Sequence, residues 1–305
     1  MATQLSRGFL LGVALLAPAL AAGCATPAPA PHPDVLASFY PMHYLAERVV
    51  GGGRLTLGTI IPADAEPHDY DLKPSDAANI AHARLLVLHG AGLEIFADKL
   101  PQLAKESGVR VVEAAEGLEA RTRDLGDEGE AADPHLWLDP VAAQQEARNI
   151  ARGIEAIDPA NASEYQRNLA ALVADLQGLD AAYQAGLAHC EKHVILTSHA
   201  AFGYLADRYD FTQHAIAGVS PDAQPSAADL QSLAELARRE NITVIFFEAL
   251  VSPSLAEAIA SQVHARTEVL DPIEGLTSEE AAAGTDYLGL MRQNLGRLRD
   301  AMVCA

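Results

Sequence analysis

Residues Asn161–His189 read NASEYQRNLAALVADLQGLDAAYQAGLAH. Within them Leu169, Leu172, Leu176, Leu179, Tyr183 and Leu187 recur every three or four positions, the spacing that gathers apolar side chains on one face of an α-helix. Asp158-Pro159 immediately upstream is a stop-and-restart signal. At ~1.5 Å per residue, a helix of roughly 28 residues reaches about 42 Å, the width of a whole domain. A single stiff helix of that length can join two lobes without a flexible hinge. The chain therefore divides into an N-terminal lobe over residues 34–160, a linking helix over 161–189 and a C-terminal lobe over 190–305.

On both sides of this helix, short β-rich runs alternate with helical stretches. In the first half, Val35–Phe39, Leu55–Ile61, Leu85–His89 and Val109–Glu113 read as strands, and Tyr40–Val50, Ser75–Ala83 and Leu93–Ser107 as helices. The second half repeats the pattern. Its strands are His193–Ser198, Gln213–Ala217, Val244–Glu248 and Glu268–Leu270, with helices at Ala201–Tyr209, Ala227–Glu240 and Ser254–Thr267. Such alternation predicts an α/β protein of two lobes, each a parallel-rich sheet flanked by helices. Its ligand cleft should lie between the lobes, at the C-terminal ends of the strands.

The first residues belong to a different class. Arg7 precedes an apolar run, Phe9–Ala22, that is too short for a membrane span, and residues 1–23 read as an export signal. The signal ends in Ala21-Ala22-Gly23 before Cys24, which resembles a bacterial lipobox with Leu20 one place early, so Cys24 is the expected lipidation site. A Pro/Ala tether follows over residues 24–33. Export implies an oxidising compartment, where Cys190 and Cys304 make one candidate disulfide. With 41 Asp+Glu against 21 Lys+Arg, the net charge of −20 argues against nucleic acid and anionic lipid surfaces as direct partners.

Of eleven histidines, three stand in distinctive local settings, each at the end of a strand or in a connecting loop, where α/β proteins place ligand groups. His68 lies in Pro62-Ala-Asp-Ala-Glu-Pro-His-Asp-Tyr70, His135 in Asp133-Pro-His-Leu-Trp-Leu-Asp-Pro140, and His199 in Thr197-Ser-His-Ala-Ala-Phe-Gly-Tyr204. Imidazole suits zinc, copper, nickel or iron rather than calcium or magnesium. Three His and one carboxylate would close a four-coordinate shell with no place for an activated water.

These segments also carry a resemblance. Ser38-Phe-Tyr-Pro41, Pro67-His-Asp-Tyr70, Pro74-Ser-Asp76, Gly90-Ala-Gly-Leu-Glu94 and the His135 loop occur in order, followed by the His199 segment, Gly218-Val-Ser-Pro-Asp222, Phe246-Phe-Glu248 and Asp271-Pro-Ile-Glu-Gly275. From about Asp34 onward the chain resembles the zinc- and manganese-binding substrate-binding lipoproteins of bacterial ABC transporters, the class with one rigid linking helix. The resemblance implies a non-enzymatic, extracytoplasmic protein, anchored through Cys24, that hands a divalent metal to a membrane permease as a monomer. It implies His68 and His135 as ligands from the first lobe, and His199 and a late acid from the second. Matching that acid selects Glu274, with Glu248 and Asp271 as the alternatives. Asp69, Asp133 and Asp139 are the candidate acceptors for the outward ring nitrogens.

A His at the third position resembles the zinc branch, so Zn2+ is the expected cargo and Mn2+ the second choice. Many zinc members carry a His-rich loop before the second ligand. Here that stretch, Glu116–Ala132, is acidic, lacks His and reads as a solvated insertion. Two other classes compete: a metal-dependent adhesin of the same fold, and a secreted zinc hydrolase, which lacks any H-E-x-x-H motif here.

Overall fold

The computed structural model describes Met1 and residues 32–120, 122–124, 130–221 and 225–305. The signal segment, Cys24, most of the tether and part of the acidic insertion lie outside the described residues.

Strands β1 (Val35–Ala37), β2 (Leu57–Thr59), β3 (Leu85–Leu88) and β4 (Arg110–Glu113) form an all-parallel sheet in the order β2-β1-β3-β4. The crossover from β1 runs through helix α1 (Tyr40–Val50) to one side, and that from β2 through α2 (Pro74–His82) to the other. The β1/β3 junction is thus a topological switch point, with its crevice at the C-terminal ends of the strands. The central strands β1 and β3 are buried at every residue, as continuous apolar runs covered on both faces must be. Helix α3 is confined to Leu100–Ser107. The periodicity placed its start at Leu93, but Gly90, Ala91 and Gly92 all hold positive φ (82°, 53° and 86°) and turn the chain before it can wind.

Between the first sheet and the linking helix stands α4, Pro140–Ile157, for which the sequence reading assigned no helix. Its buried face mixes Ile150, Ile154 and several alanines with Gln144, Glu146 and Asn149, so polar residues interrupt the apolar stripe that would mark a helix in the sequence. A Cβ on Gly153 would stand 2.6 Å from Val112 Cγ2, so this helix rests close upon the sheet. The acidic insertion, read as loop, contains a two-stranded antiparallel ribbon, β5 (Thr122–Asp124) with β6 (Glu130–Ala132).

The linking helix α5 spans Ala162–Leu187, 26 residues. All six apolar positions named above, and Tyr165, are buried along it. Beyond it, β7 (Val194–Thr197), β8 (Thr212–Ala215), β9 (Val244–Phe247) and β10 (Arg266–Val269) form a second parallel sheet, ordered β10-β9-β7-β8. Helices α6 (Gly203–Arg208), α7 (Ala227–Arg239) and α8 (Ser254–Val263) make its crossovers. The α8 helix ends earlier than its periodicity suggested because His264 takes a left-handed φ of 57°, and the chain enters β10 directly. The β7/β9 junction is the second switch point. Short α9 (Ser278–Ala283) and α10 (Tyr287–Met302) complete the chain, and neither was assigned from the sequence.

The two sheets are not separately cored. One apolar cluster runs from Leu36, Leu86 and Ile150 through Leu172, Leu176 and Tyr183 to Tyr287, Leu295 and Leu298. Only a smaller cluster around Leu196, Ile245 and Ile259 belongs to the second sheet alone. Tyr183, on the linking helix, donates its hydroxyl to the Met291 carbonyl at 2.7 Å, joining α5 to α10. A disulfide joins Cys190 to Cys304, fastening the C-terminus to the entry of the second sheet. Among the described residues no helix is long and apolar enough to cross a membrane.

Candidate metal centre

Four segments converge between the lobes. His68 comes from the loop after β2, whose backbone is held to the opposite lobe by Leu276 N–H donating to the Ala63 carbonyl at 2.8 Å. His135 precedes a short 3-10 turn, Leu136–Leu138, that leads into α4. His199 follows β7, its carbonyl accepting from Thr197 Oγ1 at 2.7 Å and Gln213 Nε2 at 2.9 Å. Glu274 lies in the loop after β10, where the buried Ile273 holds a left-handed φ of 59°. A β-branched residue in that region costs on the order of 1–3 kcal/mol, so surrounding bonds must sustain it. They are present: Trp137 Nε1 donates to Pro272 O at 2.7 Å, and Asn294 Nδ2 donates to Asp271 O at 2.6 Å.

His68 Nε2 lies 3.3 Å from His135 Nε2, which lies 3.1 Å from His199 Nε2. Glu274 Oε1 is 3.3 Å from His68 Nε2, 3.3 Å from His135 Nε2 and 3.6 Å from His199 Nε2. All four donor atoms lie within 4.8 Å of one another. A tetrahedron with ligands about 2.0–2.1 Å from its centre has edges of about 3.3–3.4 Å, so the observed edges fit a first-row divalent cation in a closed N3O shell. Three imidazole nitrogens that all present lone pairs repel one another at these separations, and a central cation relieves that conflict.

The outward nitrogens are set for the same task. His135 Nδ1 donates to Asp133 Oδ1 at 2.8 Å, and His199 Nδ1 lies 2.6 Å from Glu248 Oε1. A carboxylate on Nδ1 fixes the tautomer that leaves the Nε2 lone pair free for a metal. Glu248, weighed from sequence as a rival ligand, therefore stands behind His199, where it also accepts from Ser198 Oγ. Asp271, the other alternative, accepts from Ile273 N at 2.7 Å and shapes the Glu274 loop. Asp139, expected beside an imidazole, instead caps α4 through Val141 N at 2.9 Å and takes both nitrogens of an Arg208 fork across the lobes. Its position at the α4 N-terminus, where orphan N–H groups need an acceptor, explains the difference. Asp69 is exposed.

Burial lowers the pKa of His68. Burial would lower His199 too, but Glu248 on one side and Glu274 on the other outweigh it and hold the ring well above the ordinary imidazole value. Burial would raise the Glu274 carboxyl, yet hydrogen bonds from His135, His199 and His68 keep it well below the carboxylate range. The site thus stabilises positive charge next to Glu274. One further acid was missed from sequence. Glu66, two residues before His68, is pushed up to about 8 by burial and then by the Glu274 charge, and its Oε1 accepts from His68 N at 3.2 Å. Its closeness to His68 in the chain was the available signal.

The family model described as "Zinc-uptake complex component A periplasmic" matches residues 35–301. The high-affinity zinc uptake system protein ZnuA of Bacillus subtilis (strain 168) is 37% identical over 279 residues, 88% of this chain and 87% of that one. The zinc-binding lipoprotein AdcA of Streptococcus pneumoniae is 34% identical over 276 residues; they are 87% of this chain but 55% of AdcA, so the chain spans about half of that relative. Among solved structures, the laminin-binding protein Lmb of Streptococcus agalactiae aligns with a TM-score of 0.80 at 32% identity, covering 88% of this chain and 98% of that one. The Zn(II)-bound ZnuA-like domain of S. pneumoniae AdcA aligns at 0.77 and 34% identity, with the same coverage. The chain belongs to the periplasmic zinc-uptake component A family of metal-binding proteins.

Proposed function

We propose that this protein captures zinc outside the cytoplasm and delivers it to the permease of an ABC importer, with His68, His135, His199 and Glu274 as the ligands. The observation that carries the reading is the convergence of three Nε2 atoms and one carboxylate oxygen, with five of their six separations at 3.1–3.6 Å, the spacing of tetrahedral zinc. Three nitrogens and one oxygen favour zinc over manganese, which prefers more oxygen ligands. Four protein ligands leave no position for an activated water, in keeping with a non-enzymatic carrier.

Unequal burial suggests the order of loading. The His68 side chain is 9% exposed, whereas His135 and His199 are fully buried and Glu274 is 2% exposed. Zinc enters past His68, and the same ring is the first to leave when a docked permease draws the cargo out. A lipid anchor at Cys24 would hold the carrier at the membrane, and Cys190–Cys304 would brace the second lobe. The reading is tested by elemental analysis of protein purified without added metal, with competitive titration of zinc and manganese on wild type and His199→Ala. One equivalent of zinc, lost in the variant, is expected; preferential manganese binding, or zinc binding indifferent to His199→Ala, would overturn it.

A further inference from the structure

The metal ligands do not account for one fully buried titratable pair in the first lobe. His89, just beyond β3, and Glu146, on α4, both have side chains at 0% exposure, and His89 Nδ1 lies 3.2 Å from Glu146 Oε1. On its other side, His89 Nε2 lies 2.5 Å from the carbonyl of Pro134, the residue before His135. Phe39 and Trp137 meet the ring edge-on, with centroids 6.1 and 5.0 Å away. The backbone beneath the ring is fixed as well, with His89 N and Gly90 N donating to the Glu94 carboxylate at 2.7 and 3.0 Å.

A carbonyl can only accept, so Nε2 carries a proton directed at Pro134 O. Nδ1 then faces a carboxylate oxygen 3.2 Å away, and among the described residues neither Nδ1 nor either Glu146 oxygen has a hydrogen-bond partner of good geometry. A lone pair on Nδ1 facing an ionised carboxylate would be repulsive, and a fully buried bare carboxylate is costly, so a second proton belongs between them. We infer that His89 is held as an imidazolium by Glu146 and serves as a positioning residue for the metal site, its Nε2–H gripping the Pro134 carbonyl to aim His135. This rests on the reading of His135 as a zinc ligand.

The neighbouring contacts show why one charged grip matters. The Asp133 carbonyl is taken by Tyr204 OH at 2.8 Å, and Asp133 Oδ1 accepts from both His135 N (3.0 Å) and Nδ1 (2.8 Å). The Trp137 carbonyl accepts from Tyr287 OH. The Tyr204 and Tyr287 contacts come from the second lobe. His89, backed by Glu146, ties the ligand loop to its own lobe through a charge-assisted bond, the stronger class. The loop is therefore aimed from the first-lobe side.

The test uses the full chain. Ring 15N spectra of zinc-free wild type should show both nitrogens of His89 protonated at neutral pH; an unprotonated Nδ1 would overturn the proposal. Zinc affinity, by chelator competition, should weaken roughly ten- to a hundredfold in His89→Ala, the range seen when outer partners of metal ligands are removed. The visible band of the cobalt-loaded variant should shift as the coordination geometry loosens. The double variant His89→Gln with Glu146→Gln, which restores a neutral donor to Pro134 O without a buried charge, should recover affinity to within about fivefold and restore the cobalt band. Wild-type-like zinc binding by folded His89→Ala, or a double variant as weak as His89→Ala, would refute the role. If His89→Ala does not fold, the wild-type spectra and the double variant decide. A wild type that binds no zinc, or whose zinc is indifferent to His135→Ala, would instead bring down the ligand reading.

Discussion

Gly275 is the point where the Glu274 loop meets the His68 loop, and a methyl group placed there probes how tightly the cleft must close. A Cβ at this position would stand 2.0 Å from the Ala63 carbonyl oxygen, 3.0 Å from its carbon and 3.1 Å from Leu250 Cδ1. Optimal contacts lie at about 3.5 Å, so one loop must retreat by roughly 1.5 Å. That retreat breaks the 2.8 Å bond from Leu276 N to Ala63 O, five residues before His68. The lost bond is worth about 0.5–1.5 kcal/mol and the overpacking about 1–3 kcal/mol, so zinc affinity should fall by about 1.5–4.5 kcal/mol, roughly tenfold to two-thousandfold. Chelator competition on Gly275→Ala measures this, with Gly178→Ala as the control. Gly178 lies on α5 with nothing within 4 Å of its would-be Cβ, and its replacement should leave binding unchanged. Zinc affinity in Gly275→Ala within about threefold of wild type would show that apposition of these loops is not what completes the site.

Glu248→Gln keeps a hydrogen-bond acceptor for His199 Nδ1 but removes its charge, and zinc should bind roughly tenfold or more weakly, measured by the same competition. The pH response should differ between loaded and unloaded protein. The raised pKa of His199 gives stability that is present below about 6.5 and lost as pH rises through the folded value. The depressed pKa of Glu274 gives stability present above about 4.3 and lost as pH falls through its folded value. Melting temperature of zinc-free protein should therefore decline above neutrality while the zinc-loaded protein holds steady; parallel curves would contradict the electrostatics. Reducing the Cys190–Cys304 disulfide, which closes a loop across 114 positions, should lower unfolding free energy by about 2–5 kcal/mol in denaturant titrations.

The sequence made the two parallel sheets, the linking helix and the three His segments legible because each depends on strong local signals: continuous apolar strands, a leucine ladder, and Pro-bounded loops. It could not show α4, whose apolar stripe is interrupted by the buried Gln144, Glu146 and Asn149, nor the left-handed turns that shorten α3 and α8. Distances between remote carboxylates were also invisible. Glu248 and Glu274 both follow parallel strands of the second sheet, and only folding shows that one faces the Nδ1 side of His199 and the other its Nε2 side. His89 gave no motif at all, since its partners, Glu146 and Pro134, lie 57 and 45 positions downstream.

A core that continues across both lobes limits what the carrier can do mechanically. A swing baring even about 400 Å² of that shared interior would cost about 10 kcal/mol, as much as a whole domain's net stability. Cargo transfer must then proceed by short excursions at the rim, and scattering profiles of full and empty carrier should nearly superimpose. The permease has to recognise subtle local relief, not silhouette, when it distinguishes one from the other.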